Sequence, residues 1–185
     1  METDELIYSR YLSTHNEDDF RILLERHRDS LILFLMNYVH NPEDAEELML
    51  DAYAEAAAGS GFSGKSSFKT WLFSIGKKKA LMRIRKKHFL FFVSEEQADA
   101  EESPCETPEL ELLDKERNLQ LYQALGKVNG EYRQVLILLY FEEMSYEEIE
   151  RVLGKNRKQI YNLAERGRKA LKDELERMGF DNAQY

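Results

Sequence analysis

Proline, glycine and cysteine are scarce in this sequence of 185 residues. It has three prolines, nine glycines, one cysteine (Cys105) and one tryptophan (Trp71). A lone thiol cannot form an internal disulfide, and the four histidines lack the close spacing of metal ligands, so the sequence predicts no metal site and no cofactor. So few helix-breaking residues are typical of a protein built from long helices.

Long apolar runs are also missing. No stretch approaches the roughly 20 apolar residues that cross a bilayer, and the N-terminal residues lack the basic-then-apolar pattern of a signal peptide. With 43% hydrophobic and 33% charged residues, the composition is that of a folded, soluble protein. We therefore expect a cytoplasmic protein without direct membrane insertion.

Positive charge is concentrated in two stretches of a chain whose formal net charge is −9. Residues 62–88 contain nine basic and no acidic side chains, and residues 151–172 contain eight basic and one acidic. Dense lysine and arginine bind phosphates whatever the global charge, so the two stretches suggest two contacts with one nucleic acid. The acidic remainder weakens nonspecific attachment, and we expect tight binding to need a partner.

Apolar residues recur at helical spacing in the first half of the chain. They predict a helix over residues 20–39 and a second helix that begins at Asn41 and Pro42, which suit an N-cap and a first helical position. The second helix is expected to end at Gly59 or Gly61, and a third, basic helix is expected over residues 66–88. No strand pattern occurs, so the predicted fold class is all-α with two helical domains.

An acidic stretch separates the two basic ones. Residues 93–108 contain two prolines, many carboxylates and no apolar period, which indicates a flexible linker. The predicted domains are therefore residues 1–92 and 109–185, joined by residues 93–108. The second domain is expected to begin with a helix near residue 109, to be interrupted at Gly130, and to continue with an apolar helix over residues 132–143.

The segment of residues 144–171 has the pattern of a helix-turn-helix. Ser145 and Glu148 form a capping box at the start of a short helix, and Gly154 lies where a tight turn needs a positive φ. A longer basic helix follows, with Ile160 and Leu163 facing inward, and such a helix enters the major groove of DNA. Its outward side chains are of the types that read base edges or hold phosphates: Arg157, Lys158, Gln159, Tyr161, Asn162 and Arg166. The alternative is a helical hairpin whose polar face only meets water.

Three motifs, in this order, resemble those of bacterial sigma factors of the extracytoplasmic-function (ECF) type, which keep conserved regions 2 and 4. Residues 44–53, DAEELMLDAY, are similar to the region 2 signature Asp-Ala-Glu-Asp-Leu-Val-Gln-Glu-x-Phe. Residues 62–86, FSGKSSFKTWLFSIGKKKALMRIRK, match the pattern Phe-x-Gly-x-Ser-x-Phe-x-Thr-Trp-Leu-x-x-Ile-Ala. Residues 144–171, MSYEEIERVLGKNRKQIYNLAERGRKAL, resemble region 4.

This resemblance implies a protein that is not an enzyme and that directs core RNA polymerase to promoters through their −10 and −35 elements. It implies contacts with the β′ clamp and the β flap of the polymerase, and control by an anti-sigma factor. The implied polymerase-binding residues are Asp44, Glu47, Leu48, Leu50 and Asp51. The implied −10 residues are Phe62, Lys65, Lys69, Trp71, Lys77, Lys78, Arg83 and Arg85, and Arg168 joins the outward residues of the second basic stretch in the −35 set.

Some positions depart from the family pattern. Leu50 stands where glutamine is usual, Lys78 where asparagine is frequent, and Met82 where aspartate is frequent, so docking is expected to be more apolar and the −10 sequence is left open. Glu150 replaces a small alanine, and its carboxylate is expected to reach solvent or to pair with Arg151 or Lys155, because burying it alone is costly.

Three alternatives stay open at this point. The spacing of Trp71 with Leu72 and Ile75 also fits a core residue rather than a base-stacking one. A helix-turn-helix regulator that does not recruit polymerase would carry the same second basic helix. An enzyme that uses metal-binding carboxylates at Asp44, Glu46, Glu47 and Asp51 would also need a nucleophile or base, and none accompanies them.

Overall fold

Helices make up the regular structure of this protein. The computed structural model describes residues 2–59, 61–93 and 116–179, with side chains except those of 88–93 and 116–120, and no strand occurs in these ranges. This confirms the predicted all-α fold class. No helix in these ranges is both long enough and apolar enough to cross a membrane. The helices they contain are α1 (Asp4–Thr14), α2 (Glu17–Val39), α3 (Pro42–Ala57), α4 (Phe68–Val93), α5 (Glu116–Lys127), α6 (Gly130–Tyr140), α7 (Tyr146–Leu153) and α8 (Arg157–Arg177).

Capping residues set the beginnings of the early helices. The Asn16 side chain accepts a hydrogen bond from a backbone N–H and starts α2 three residues before the predicted position. Asn41 caps α3 as predicted, with Pro42 at its first position, and α3 ends at Ala57, just before Gly59 with its φ of 70°. The third predicted helix is α4, which begins two residues later and ends five residues later than expected.

The α1–α4 bundle is tied together by buried tyrosines. The hydroxyl of Tyr8 in α1 donates to the carbonyl of Ala56 in α3 at 2.8 Å. The hydroxyl of Tyr53 in α3 donates to the carbonyl of Leu23 in α2 at 3.1 Å. Each phenol therefore buries its ring in the core and satisfies its hydroxyl on a neighbouring helix. Helix α3 packs on both α2 and α4, these two helices also contact each other, and α1 contacts both of them.

Among the later helices, α6 differs from the prediction at both ends. Asn129 caps α6, so this helix begins at Gly130, two residues before the predicted start. It ends at Tyr140, three residues before the predicted end. Beyond it, Glu143 has a φ of 49°, which a continuing helix does not allow. The predicted start near residue 109 and the predicted linker, apart from residue 93, lie outside the described residues.

The two halves of the chain share one hydrophobic core. Helix α2 packs on α6, and α4 packs on α7. Val135 and Ile149 from the second half are fully buried in the same cluster as Leu31 and Phe73 from the first. No pattern in the sequence predicts this packing, and the domain boundaries at 92 and 109 stay a prediction. The consequence is that the two basic stretches lie on one continuous body.

Candidate nucleic-acid interface

The basic helix α4 packs against the rest of the bundle through its apolar face and through a glycine that allows close approach of α2. Phe73 is fully buried, and a Cβ added to Gly76 would lie 3.1 Å from a Leu31 methyl group of α2, so the two helices approach closely there. The Glu5 carboxylate of α1 accepts a hydrogen bond of 2.8 Å from the backbone N–H of Phe68. This satisfies a donor at the N-terminus of α4 that has no partner within the helix.

Aromatic rings gather where the loop before α4 meets the helix. The ring centroids of Phe62 and Trp71 lie 5.1 Å apart, and Tyr8 of α1 lies 5.4 Å from Phe62 and 5.7 Å from Trp71. Phe62 and Trp71 are half-buried, whereas Phe68 is fully buried. Trp71 therefore packs against the core, as its spacing allowed, while part of its surface stays open. The structure brings together the two aromatic residues of the predicted −10 set.

Five of the six cations of the predicted −10 set fall into two groups. Lys65, Lys78 and Arg85 are exposed. Lys69 and Lys77 are half-buried and held by the other half of the chain. Lys69 Nζ donates to the carbonyl of Glu142, and Lys77 Nζ donates to two carbonyl oxygens at the end of α7. In this arrangement, these two ammonium groups do not face solvent as phosphate ligands would.

Arg83 is paired inside the first bundle. It lies 2.7 Å from the Asp44 carboxylate and 2.8 Å from the Glu47 carboxylate of α3. The hydrogen bond with Glu47 and the nearby charges raise the pKa of the guanidinium above its usual value. A predicted −10 residue thus lies against predicted polymerase-binding residues, so the two expected surfaces meet along the α3–α4 groove.

The residues of the predicted polymerase-docking surface differ in exposure, and the docking role stays a prediction. Glu47, Leu50 and Asp51 are exposed on α3, and Asp44 is half-exposed. Leu48 is 2% exposed and packs in the core, so its assignment to the docking surface is wrong. It follows Ala45 by three residues, which turns both side chains to the inward face of the helix. Within the described ranges, no group of three histidine, cysteine or carboxylate side chains is placed to hold a metal ion.

The helix-turn-helix forms as the sequence predicts. The Ser145 side chain accepts from the Glu148 backbone N–H and the Glu148 carboxylate accepts from the Ser145 backbone N–H, which is a complete capping box. Gly154 ends α7 with a φ of 66°. Asn156 caps α8 in a second capping box with Gln159, a signal that the sequence reading missed. The turn between α7 and α8 is therefore fixed from both sides.

The N-terminal part of α8 presents its polar side chains to solvent. The exposed residues there are Arg157, Lys158, Gln159, Tyr161, Asn162 and Arg166. The Gln159 side-chain oxygen accepts from the Asn156 backbone N–H at 2.9 Å, so its amide NH₂ group remains for other contacts. Glu150 Oε1 lies 3.3 Å from Nε of Arg157, an ion pair with neither of the expected partners. Arg151 and Lys155 pair with Glu147 and Glu131 instead.

Arg168 is set apart from the other residues of the predicted −35 set. It is half-exposed, forms an ion pair with Glu165, and donates to the Tyr140 hydroxyl at 3.3 Å. At a rise of 1.5 Å per residue, it lies roughly 16 Å along the axis from Arg157. The structure therefore does not bring Arg168 together with the exposed N-terminal face of α8.

Polar contacts join α4 to α7. The Glu148 carboxylate of α7 accepts from the hydroxyls of Ser67 at 2.6 Å and Thr70 at 3.1 Å. Burial raises the pKa of Glu148, but the hydrogen bonds from Ser67, Ser145 and Thr70 outweigh it and lower the pKa to about 2. The carboxylate is thus held in its charged form between the two halves of the chain.

Helix α1 is the contribution that sequence reasoning missed. It supplies Tyr8 to the aromatic cluster and Glu5 to the start of α4. Its apolar residues Ile7, Tyr8 and Tyr11 lie on one helical face, and Asp4 and Glu5 occupy its first turn, where carboxylates are favoured. Together, these sequence features could have predicted helix α1.

Comparisons with known proteins agree with this geometry. Residues 23–89 match the family model "Sigma-70 region 2", and residues 118–171 match "Sigma-70, region 4". The chain is 27% identical over 162 residues to the RNA polymerase sigma factor YlaC of Bacillus subtilis, with 86% of this chain and 94% of that protein covered. It is 25% identical over 169 residues to the ECF RNA polymerase sigma factor SigW of the same organism, with 86% and 90% covered.

Solved structures share the fold. The sigma factor RpoE of Bartonella quintana, in a co-crystal structure with the anti-sigma factor NepR, superposes with a TM-score of 0.61 at 24% identity, covering 85% of this chain and 97% of that one. CnrH in complex with the cytosolic domain of CnrY superposes with a TM-score of 0.60 at 22% identity, covering 95% and 98%. The matched regions coincide with the aromatic loop and α4 on one side and with the helix-turn-helix on the other. With regions 2 and 4 both present and in order, this chain belongs to the sigma-70 family of RNA polymerase sigma factors, in its extracytoplasmic-function group.

Proposed function

We propose that this protein is a sigma subunit that binds core RNA polymerase and starts transcription at promoters with a −10 and a −35 element. The observation that carries the proposal is the exposed N-terminal face of α8 behind a fixed helix-turn-helix, in one chain with the basic helix α4. Sigma factors are initiation factors, and the proposal assigns no catalytic residue to this chain. Its place of action is the bacterial cytoplasm, where polymerase and promoter meet.

The −35 element is read by α8. Arg157, Lys158 and Asn162 are exposed on its first turns, which is the part of such a helix that reaches base edges and phosphates. The free NH₂ group of Gln159 can donate to an acceptor in the major groove, while its oxygen holds the helix cap. Arg166 and Arg168 lie farther along and serve phosphates rather than bases.

The −10 element is held by the loop before α4 and by α4 itself. Phe62 and Trp71 offer partly open rings on which an unpaired base can stack, and Lys65, Lys78 and Arg85 offer exposed charges along its strand. Extruding a base costs a few kcal/mol, which the contacts with polymerase and strand must offset. The lysines at 69 and 77 and Arg83 join these contacts when their present partners release them.

The exposed ridge of α3 docks on the β′ clamp of the polymerase. Leu50 is 54% exposed between the carboxylates of Glu47 and Asp51, so the surface combines an apolar centre with a charged rim. Such a combination suits a protein interface, in which a buried apolar residue is surrounded by polar ones. Region 4, in the helices after residue 116, contacts the β flap. We further propose an anti-sigma factor as the protein's regulator, because RpoE was solved with the anti-sigma factor NepR and CnrH, of similar fold, was solved with the cytosolic domain of CnrY.

In vitro transcription tests the function directly. Purified protein is added to core RNA polymerase on fragments of the genome that encodes it, and start sites are mapped. We expect discrete starts preceded by common −10 and −35 sequences. A chain that neither binds core polymerase nor yields any start would instead be a DNA-binding regulator that acts without recruiting polymerase.

A matched pair of variants tests the docking surface. Leu50→Arg is expected to lower the affinity for core polymerase by about tenfold or more, because it places a charge at the centre of an apolar contact. Leu6→Arg is the control, since Leu6 in α1 is 59% exposed but lies outside the docking ridge. Equal affinities of the two variants would remove α3 from the polymerase contact.

A further inference from the structure

Helix α8 begins with two side-chain amides that cap each other's backbone. The Asn156 side-chain oxygen accepts from the Gln159 backbone N–H at 3.0 Å, and the Gln159 side-chain oxygen accepts from the Asn156 backbone N–H at 2.9 Å. Together they form the capping box at the start of the helix. Both side-chain oxygens are therefore directed at the backbone of the helix start.

The chemistry of this capping box defines which end of each amide faces outward. A backbone N–H can only donate, so the side-chain atom that meets it must be the amide oxygen and not the amide nitrogen. The NH₂ group lies on the other side of each amide. Because Asn156 and Gln159 are both exposed, their NH₂ groups are the parts that remain for a ligand.

The two residues between them also carry only donors. Arg157 and Lys158 are exposed, and neither a guanidinium nor an ammonium group contains an acceptor. The Glu150 carboxylate approaches from α7, but its Oε1 is buried and lies 3.3 Å from Arg157 Nε. Within residues 156–159, all of which the structure describes, no side chain therefore presents an oxygen that is not already engaged.

A helix start that only donates does not fit all bases equally. In the major groove, guanine presents two acceptors, N7 and O6, whereas cytosine presents the N4 amino donor. Adenine presents the acceptor N7 beside the N6 amino donor. A donor aimed at an amino group leaves two donors facing each other without a partner, which is unfavourable. Guanine is therefore the best match for these side chains and cytosine the worst.

The same geometry opposes the pairing with adenine that is typical of glutamine. In that pairing, the glutamine NH₂ group donates to N7 and its oxygen accepts from the N6 amino group, so both ends of the amide face one base edge. In this structure, the Gln159 oxygen is turned to the Asn156 N–H instead. Binding adenine in this way would give up a cap contact of the recognition helix, so the cap competes with adenine.

We propose that Gln159 is a specificity-determining residue of the −35 contact, and that the capping box makes it select guanine over adenine. The proposal rests on the proposed sigma function, because that function makes α8 the reader of the −35 element. Asn156 is the positioning residue, since its backbone N–H holds the Gln159 oxygen away from the groove. The −35 element is therefore expected to carry a G·C pair at the position that Gln159 contacts.

A promoter library tests this preference in the holoenzyme. The full chain is combined with core polymerase, the −35 region upstream of a mapped start is randomised, and the bound DNA is sequenced. Gln159→Ala identifies the contacted base pair, because the preference should relax at that pair. The variant keeps the cap from Asn156, which accepts from the backbone N–H of residue 159 whatever its side chain. We expect the wild type to favour G·C over A·T there by about tenfold.

Gln159→Glu reverses the polarity and keeps the capping box. Glutamate is a usual residue at this position of the box, so one carboxylate oxygen can accept from the Asn156 N–H while the other faces the groove. We expect the preference at the identified pair to move from guanine to cytosine on the same strand, with their ratio falling by about tenfold or more. A ratio of bases cancels the general loss of affinity that an added negative charge causes.

Gln123→Glu is the matched control for this variant. It makes the same substitution at an exposed site of α5, outside the predicted −35 set, and should keep the wild-type preference. An A·T pair preferred at the identified position, no pair relaxed by Gln159→Ala, or guanine still preferred by Gln159→Glu would each overturn the proposal.

These outcomes are distinct from a failure of the sigma function. A holoenzyme that selects −35 sequences but gives one of the contrary results keeps the sigma function and loses only the role of Gln159. A chain that neither binds core polymerase nor selects any promoter would overturn both. If circular dichroism shows that Gln159→Glu is unfolded, the comparison of the wild type with Gln159→Ala decides between guanine and adenine by itself.

Discussion

The two basic helices of this protein differ in how many of their predicted DNA-binding cations are held by distant parts of the chain. Helix α8 presents Arg157, Lys158 and Arg166 to solvent, whereas α4 has Lys69, Lys77 and Arg83 engaged by carbonyls and carboxylates of its own chain. A similar density of basic residues in the sequence thus gives solvent-exposed cations on α8 and cations that are partly engaged within the chain on α4. The difference arises from where each helix lies, because α4 is central and α8 is peripheral.

Substitutions in the apolar faces of the two helices are expected to have the largest effect, which is on the free energy of unfolding. Phe73→Ala in α4 and Ile160→Ala in α8 each remove a fully buried side chain, and each is expected to lower the free energy of unfolding by about 2–5 kcal/mol. Because both residues belong to one core, urea denaturation followed by circular dichroism should show a single transition that shifts with either substitution. Two transitions, each moved by only one variant, would contradict the shared core.

The charge of His27 gives the next largest effect. Its pKa is about 9 in the folded chain and about 6.5 when unfolded, so its stabilisation is complete below pH 6.5 and is lost as the pH rises through 9. The groups that face it are Asp4 and Glu142, with Arg26 beside the first and Lys69 at the second. The free energy of unfolding should fall by on the order of 3 kcal/mol over this range.

Urea denaturation at a series of pH values measures this change. His27→Gln is the comparison, because it fills a similar volume without a titrating ring, and its stability should vary less between pH 6.5 and 9. The same decline in both proteins would mean that another group controls the pH dependence.

Removing one exposed charge from α8 is expected to have a smaller effect, which is on the affinity for DNA. Lys158→Ala should weaken binding of the holoenzyme to a mapped promoter by about fivefold to tenfold and reduce the salt dependence by about 1, because one phosphate contact is lost. Affinity for core polymerase should not change, since Lys158 is exposed on α8 and is not among the predicted polymerase-binding residues of α3. Lys172→Ala in the last turns of α8 serves as an exposed lysine outside the predicted −35 set. A parallel loss of polymerase binding would count against separate roles for the two regions.

Chemical labelling can compare a half-buried lysine with an exposed lysine within α4 itself. Lys69 is half-buried and donates to the Glu142 carbonyl, whereas Lys78 is exposed. An amine-acylating reagent should therefore modify Lys78 several times faster than Lys69 in the free chain, as measured by mass spectrometry of peptides. Equal rates in the wild type would mean that region 4 does not cover Lys69 in solution.

Local sequence accounted for most of the helices and for the helix-turn-helix. Asn41 with Pro42, Ser145 with Glu148, and Gly154 each fix a boundary through contacts within a few residues, so the pattern alone was enough. Motif order accounted for the family, and helical periodicity accounted for the outward face of α8. Leu48 was misplaced because a family motif marks a helix without saying which of its side chains face the core.

What the sequence determined by itself is what depends on neighbours along the chain: helix caps, turn geometry, apolar faces and the two islands of positive charge. Only the tertiary structure decided which cations are free, because Lys69 and Lys77 find their partners more than 70 residues away. The same holds for the Asp4–His27–Glu142 contact, which joins three distant segments. Such pairings depend on how helices pack around a shared core, and packing over that separation leaves no periodic trace in a single sequence.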